Sequence, residues 1–585
     1  MDMTRYEIEK KIQSLPSGGL TKKKINGKTY IYYQWTEDKK QHARIVKEKD
    51  VEYLSNQIAE RKELQDRLKR MPSGYSPNTT DSYISKVIIG KELDAYAASV
   101  SGLKKRKLYD DIEKYIYGNS FDKVLILYGL RRTGKTTLIR QIIHSMNAED
   151  RSKVAFIQVA TINTLSDINK DLKNLWHRGF KYVFIDEVTL MEDFIEGAAL
   201  LSDVYAAMGM KIVLSGTDSL SFLFAEDEQL YDRCIILHTT FIPFKEFREL
   251  LEINDIDEFI KYGGTLSPSG IDYNSSIFNS PKTTEDYINS SIAHNIQHSL
   301  KFYQHESHFR SLRELYEKHE LTNAISRVVE DINHRFTREV LTRTFKSHDF
   351  RMAKKNLRND KTNPTDILDS LDEKSIDKKL MDMLEILNKD QMSVEIKDYH
   401  ENEIKEYLSL LELIEEIPSI DINNISRKNN INIISQPGLR YSQAEALVKA
   451  LLQEDTFVAL SSKDKKFIKD RIMDDVKGRI LEELILLETK KAHPDKNVFK
   501  LLFPVGEFDM VIFDEDELTC KIFEIKHSKE RHPEQYHHLI NREKCSQVEF
   551  KFGAITERTV LYRGEDYLVE NGIIYKNIEK YLCAL

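Results

Sequence analysis

Residues 129–136 read Gly129-Leu-Arg-Arg-Thr-Gly-Lys-Thr136, a complete P-loop set, and what flanks them decides how the chain folds there. The preceding run Val124-Leu-Ile-Leu-Tyr128 is uniformly apolar, as a buried strand is, and Thr136 to His144 alternates as an amphipathic helix does. A strand feeding a glycine-bounded turn and then a helix N-terminus aims backbone N–H groups, and the positive end of the helix dipole, at an anion. Gly129 and Gly134 let the backbone curl around phosphates, and Leu130, Arg131, Arg132, Thr133 and Thr137 complete the expected cofactor-binding stretch. Lys135 is expected to reach the β- and γ-phosphates, and the Thr136 hydroxyl to hold Mg²⁺.

Roughly fifty residues later, Lys181-Tyr-Val-Phe-Ile-Asp186-Glu187 is a short apolar strand ending in two carboxylates. A carboxylate at the tip of a strand beside the P-loop suits Mg²⁺ through water, the role expected of Asp186. Glu187 is then placed to polarise an attacking water. A further strand, Lys211-Ile-Val-Leu214, runs into Ser215-Gly-Thr-Asp-Ser219. Ser215, Thr217 or Asp218 is in position to sense a γ-phosphate, although such a turn is also an ordinary strand end. Arg233, ahead of Cys234-Ile-Ile-Leu237, either reaches a phosphate in its own or a neighbouring subunit or makes a structural salt bridge; both readings stay open.

The chain has 585 residues, enough for three or four domains, with a mildly negative net charge of −8, so no global basic field announces a nucleic-acid binder. Its four cysteines (Cys234, Cys520, Cys545, Cys583) lack CxxC spacing, which argues for a reducing compartment and against zinc. No apolar signal core opens the chain, and no apolar stretch approaches the roughly 20 residues that cross a bilayer. A cytoplasmic protein without a membrane partner is expected.

Four regions and a connector follow. Residues 1–75 carry turn chemistry at Leu15-Pro-Ser-Gly-Gly19, a hairpin whose first strand is Lys28 to Trp35, and a helix of strong formers from about Asp50 to Lys69. This segment is net positive by about six charges, and Lys22-Lys-Lys24 lies near Tyr30, Tyr32, Tyr33 and Trp35. Basic residues beside aromatics hold single-stranded nucleic acid, or are simply the two faces of a hairpin. Residues 76–104 read as a connector. Residues 105–265 alternate apolar strands (124–128, 155–159, 182–185, 211–214, 234–237) with helices, which implies a mostly parallel sheet covered on both faces. Residues 266–439 read as a charged helical segment with room for a winged-helix module around Ile404–Ile417; the basic cluster Arg351 to Lys361 there is either a nucleic-acid contact or a solvated face.

Residues 440–585 carry a second chemistry. Gly506-Glu-Phe-Asp509-Met-Val-Ile-Phe513 is an apolar strand with one embedded acid, Asp514 to Glu517 is a turn, and Leu518 to Lys526 is the returning strand. Strand periodicity puts Glu524 and Lys526 on one face, and a bent hairpin brings Asp509 beside them. Two carboxylates, Asp509 and Glu524, then hold a hard divalent cation while the lysine orients or helps deprotonate a water. The preceding helical run, Gly478 to Glu488, supplies a further acid, Glu482. That order (helix acid, strand Asp, then Glu-x-Lys) is the layout of the PD-(D/E)xK nuclease fold. His527, His532, His537 and His538 follow with spacing that matches no tight zinc set.

Gly129-Leu-Arg-Arg-Thr-Gly-Lys-Thr-Thr137, Phe184-Ile-Asp-Glu187, Leu214-Ser-Gly-Thr-Asp-Ser219, Ile242-Pro-Phe-Lys-Glu-Phe247 and Tyr262-Gly-Gly264 resemble the prokaryotic AAA-type ATPases with a GLRRxGKTT P-loop. Gln436-Pro-Gly-Leu-Arg-Tyr441, Gly506-Glu-Phe-Asp-Met-Val511, Glu524-Ile-Lys-His-Ser528 and Leu561-Tyr-Arg-Gly564 look like the nuclease-like tail that members of this family commonly carry. The resemblance covers roughly residues 105–265 and 435–585. It implies ATP binding through Gly129–Thr137, Mg²⁺ at Thr136 and Asp186, hydrolysis assisted by Glu187, and a nuclease-type site at Glu482, Asp509, Glu524 and Lys526. The literal Pro-Asp pair is absent; Glu-Phe-Asp stands in its place. The fold class expected is multidomain α/β: a P-loop AAA-type parallel sheet, a helical or winged-helix middle and a C-terminal PD-(D/E)xK-like αβ domain. The function expected is an ATP-dependent enzyme acting on nucleic acid, DNA rather than RNA; the alternative is an ATP-switched regulator or scaffold whose tail binds without cutting. The sequence is compatible with a homo-oligomer.

Overall fold

A computed structural model of the chain describes residues 15–25, 28–37, 40–46, 51, 53–62, 83–120, 122–191, 193–217, 222, 230, 232–266, 276–293, 296, 300, 309–346, 396–453, 461–569 and 571–585. They fall into two compact units, Met1–Ser82 and Tyr83–Leu585. Asp218, Ser219, the cluster at 351–361 and the side chains of Lys22–Tyr30 and Trp35 lie outside the described residues.

In the first unit, β1 (Gly19–Ile25), β2 (Lys28–Glu37) and β3 (Lys40–Ile45) form an antiparallel sheet in that order. The expected hairpin is β2–β3, and the Thr-Lys-Lys-Lys stretch adds a third, edge strand to it, where a lysine run is tolerated because it discourages pairing with other chains. Residues 53–62 are helical, within the helix expected from about Asp50 to Lys69.

The second unit opens with a sheet of β4 (Lys86–Ile88), β5 (Val124–Tyr128), β6 (Val154–Gln158), β7 (Tyr182–Asp186), β8 (Lys211–Gly216) and β9 (Cys234–His238). The order is β4-β6-β7-β8-β5-β9, parallel except for β4. Strand periodicity splits the side chains between two cores. Leu125, Leu127, Phe156, Phe184 and Val213 pack under α1 (Gly90–Ala98), α2 (Leu108–Tyr117) and α3 (Lys135–Ser145). Val124, Ile126, Ile157, Val183 and Leu214 pack against α4 (Leu165–His177). Both faces are covered, which is why these strands read as unbroken apolar runs.

After β9 come α5 (Phe244–Leu251), α6 (Ile256–Tyr262), the long α7 (Leu321–Lys346) and α8 (Asp398–Leu410). The region expected to be helical to 439 instead turns to strand at β10 (Ile414–Asp421) and β11 (Asn424–Ile434). Among the described residues no winged-helix module stands there by itself: the hairpin joins the C-terminal sheet through parallel pairing of Ser419–Asp421 with Lys500–Leu502. The boundary expected at 439/440 therefore cuts through one sheet.

That sheet runs β11-β10-β12-β13-β14-β15-β17-β16, with β12 (Asn497–Leu502), β13 (Glu507–Asp514), β14 (Thr519–Lys526), β15 (Ala554–Tyr562), β16 (Tyr567–Leu568) and β17 (Ile574–Asn577). On one face lies α10 (Ser462–Ala492), reached through α9 (Pro437–Leu451); on the other lies α11 (Arg542–Phe552). Phe244, Phe247, Phe259 and Ile260 of α5 and α6 share one buried core with Ile480, Leu481, Leu484 and Leu487 of α10. Burial of about 1.5–3 kcal/mol per such side chain welds the two sheets into one body. Among the described residues no helix is long and apolar enough to cross a membrane.

Candidate functional site

The P-loop joins β5 to α3 through backbone that only glycine adopts freely. Gly129 has φ 151° and a Cβ there would meet Thr239 and Thr240 at under 3 Å; Gly134 has φ 91°. Three carbonyls of the loop are each tied to a different piece of scaffold. Arg131 O accepts from Tyr287 Oη at 3.3 Å, Arg132 O from Leu266 N at 2.8 Å and Thr133 O from Arg106 Nη1 at 2.7 Å. With its carbonyls engaged on the outside, the loop is free to present N–H groups to an anion. Arg106 is buried, donates also to Thr239 O at 2.8 Å, and pairs through two nitrogens with Glu246 of α5 at 3.0 and 2.9 Å.

A cleft of about 700 Å³ lies against the loop, lined among others by Arg131, Arg132, Gly134, Lys135, Thr136, Thr137, Glu187 and Thr217. Leu130 and Thr133, expected to bind cofactor, offer only backbone: Leu130 is in the core and the Thr133 hydroxyl is spent on Leu130 O and Thr239. Lys135 Nζ donates to Gly129 O at 2.7 Å and Leu130 O at 3.0 Å; burial pushes its pKa down to about 8, against the pull of Glu187 and Asp186.

Asp186 ends β7, which does not adjoin the P-loop strand as expected: β8 lies between them. The carboxylate still reaches the loop, because the Thr136 hydroxyl donates to it at 3.2 Å and Ser215, on the intervening strand, hydrogen-bonds its other oxygen. Ser215 therefore holds Asp186 rather than lining the cleft. Glu187 adopts φ 58°, faces the cleft, and is raised in pKa by burial and then by Asp186. A raised carboxyl in a cleft is suited to take a proton from water. Arg233 is a correction for its own chain: it precedes β9 at the end opposite the P-loop and pairs with Asp203 at 3.2 Å.

The second cluster forms where β13 and β14 pair. Their register sets Met510 opposite Phe523, and its continuation brings Asp509 opposite Glu524. Lys526 Nζ donates to Asp509 Oδ2 at 3.1 Å and Glu524 Oε2 at 2.7 Å, and Ile525 N donates to Asp509 Oδ2 at 2.8 Å. Burial works to raise Asp509, but Lys526 and Lys500 hold it low, at about 2; Glu524 is pushed up to about 8 by burial and then by Asp509. Glu524 Oε1 is buried and accepts no hydrogen bond among the described residues. Glu482 of α10 brings a carboxylate oxygen to within 4.8 Å of Asp509 and of Glu507. Glu482, Glu507 and Asp509, from α10 and β13, lie close enough together to share a hard cation; Glu524, expected to be a ligand, is not part of that group.

Sequence reasoning missed several partners. Lys500 of β12, buried, lies 2.8 Å from Glu507 and 3.6 Å from Glu482. Glu507, two residues before Asp509, could have been found by the same period-two argument that joined Glu524 to Lys526. A second cleft, of about 870 Å³, includes Glu482 and Lys526 and is walled by His527, Arg563 and Asp257 of α6.

Residues 121–248 match the sequence model of a family described as an AAA domain. An uncharacterized protein of Methanocaldococcus jannaschii is 29% identical over 203 residues, 31% of this chain and 44% of that protein's length. The Orc1 protein of Aeropyrum pernix, solved in complex with DNA, aligns over 63% of this chain and 93% of its own at 14% identity, with a TM-score of 0.20, too low to carry an argument. The P-loop region, with its parallel sheet and matched sequence, is an AAA-type ATPase domain.

Proposed function

We propose that this protein hydrolyses ATP at Gly129–Thr137 and couples its nucleotide state to Mg²⁺-dependent cleavage of DNA at the C-terminal cluster. Lys135 binds the β- and γ-phosphates, Thr136 and Asp186 take the cation, and Glu187 orients water. The order of the C-terminal run α10-β12-β13-β14-α11-β15 and its mixed pairing support the PD-(D/E)xK-like reading. The observation that carries the reading is Lys526 bridging Asp509 and Glu524, with Glu482 of a helix close to Asp509. A divalent cation at Asp509 and Glu524 supplies the Lewis acidity that such hydrolysis needs. The residues do the rest: Lys526 holds its charge beside both acids and orients water, and Glu482 and Glu507 fix the far side of the cluster.

One observation favours a tail that binds without cutting. Lys500 and Lys526 already neutralise the acids, so the cluster is self-compensated without a cation. The test is cleavage of DNA by purified protein with Mg²⁺ or Mn²⁺, with and without ATP, beside Lys526→Ala and Lys135→Ala. Cleavage lost in Lys526→Ala with ATP turnover intact supports the enzyme. No cleavage of any DNA, with turnover intact, turns the reading to the regulator.

A further inference from the structure

Residues 255–266 touch both sites. At one end, Asp257 of α6 faces the strand end that carries Lys526: its Oδ1 is 2.7 Å from His527 Nε2, and its Oδ2 accepts from Arg563 Nη1 at 2.7 Å. Asp255, the N-cap of α6, accepts from Arg563 Nη2 at 2.9 Å. Arg563 follows β15, the strand paired with β14, and its own N–H donates to Ser528 O at 2.9 Å. At the other end, Leu266 N donates to Arg132 O in the P-loop, and Leu266 lines the nucleotide cleft.

The span between is fastened. Gly264 has φ 106° and lies so close to Gln436 that a Cβ would meet its Cα, Cβ and Cγ at 2.5–2.8 Å. Gln436 Nε2 donates to Gly264 O at 2.9 Å, and Gly438 N to Gly263 O at 3.1 Å. Eight residues lie between Asp257 and Leu266: α6 runs to Tyr262, and the turn that follows it is the part Gln436 and Gly438 fasten. The peptide plane supplies the input: Arg132 C=O and Thr133 N–H belong to one rigid unit. An anion that drew on that N–H would turn the carbonyl to which Leu266 is bound.

Building on the two-site reading above, we infer that Asp257 is a positioning residue for the C-terminal acid cluster, and that segment 255–266 is the strap through which P-loop occupancy reaches Lys526. The strap acts on the Lys526–Ser528 strand end through His527 and Arg563, and it takes no part in ATP chemistry.

The test is hydrogen exchange on the full chain, with and without Mg²⁺–ATP, in the wild type and in Asp257→Asn. In the wild type, nucleotide should change protection at both 263–266 and 525–528. In Asp257→Asn the change at 263–266 should persist and that at 525–528 should vanish. Should Asp257→Asn misfold, His527→Ala takes its place, and His527→Gln, which restores a side-chain N–H, should rescue the signal. A nucleotide response at 525–528 that survives in Asp257→Asn, or is missing from the wild type, overturns the inference. Exchange is read whether or not DNA is cut, so an inert acid cluster would sink the nuclease reading alone. Where DNA is cut, the nucleotide dependence of cleavage should fall about 5-fold or more in Asp257→Asn, with ATP turnover unchanged.

Discussion

The backbone N–H of Phe244 donates to Glu488 Oε1 at 2.7 Å, fully buried where the ATPase domain's α5 meets α10. Burial pushes the Glu488 pKa up to about 8, and that single hydrogen bond pulls it only partly back. Below about pH 4.3 the carboxyl is protonated in folded and unfolded chains alike. Between there and about 8 the unfolded chain ionises and the fold does not, so this group lowers stability as pH rises through that window and adds no slope beyond it. Glu488→Gln keeps the acceptor for Phe244 and removes the titration. The variant and wild type should melt together near pH 4.5, and the variant should melt higher at pH 8. A melting difference that is constant with pH would refute the assignment.

Arg106 is the keystone between α5 and the P-loop, with Glu246 and three carbonyls as partners. Removing one member of a buried ion pair strands the other charge, at about 3–5 kcal/mol. Arg106→Ala should lower the urea midpoint accordingly and weaken nucleotide binding, because Thr133 O loses its anchor. Unchanged nucleotide affinity in a folded Arg106→Ala protein would show that the anchor does not matter to the loop.

How much could be read beforehand follows from the range of each interaction. The five parallel strands around the P-loop were legible because burial on both faces leaves unbroken apolar runs, a local signal. The Asp509, Glu524 and Lys526 grouping was legible because strand period and hairpin register are local too. Arg106 was not: its partner Glu246 is 140 residues away and Glu246 looks like any helix acid in Ile242-Pro-Phe-Lys-Glu-Phe247. Asp257 and His527 are 270 residues apart, and nothing in either neighbourhood points to the other. The strands Ile414–Asp421 and Asn424–Ile434 read as part of a helical region because charged residues interrupt their alternation. Strand order is likewise nonlocal, which is how β8 came to lie between the P-loop and Asp186.

Lys135 is buried, and its ammonium spends its hydrogen bonds on Gly129 O and Leu130 O. Lys135→Met keeps the stem and deletes the charge. Loss of a charge-assisted contact costs about 1.5–3 kcal/mol, roughly 10- to 150-fold in ATP affinity. Because burial holds the ammonium pKa near 8, the affinity of the wild type should also fall as pH rises past 8. Titration calorimetry at pH 7 and 9 reads both effects; equal affinities at the two pH values would contradict the charge assignment.

Divalent cation binding at the C-terminal cluster should be strongly dependent on pH, for a reason the geometry fixes. Asp509 is held ionised, but Glu524 is pushed up to about 8 by burial and by the charge of Asp509. A cation needs the Glu524 carboxylate ionised, so binding must expel its proton below about pH 8. One proton released corresponds to about tenfold in affinity per pH unit. In a Lys135→Met background, which leaves the C-terminal cluster unaltered, Mn²⁺ affinity should rise about 50-fold from pH 6 to pH 8 and level off above. Calorimetry in two buffers of different ionisation enthalpy should register close to one proton released per Mn²⁺ at pH 6.5. Asp509→Asn should abolish the binding, and Glu507→Gln should weaken it, since Glu507 shares the cluster with Glu482 and Asp509. A flat affinity between pH 6 and 8, or binding indifferent to Asp509→Asn, would mean that the lysines alone satisfy these acids and that the tail acts by binding.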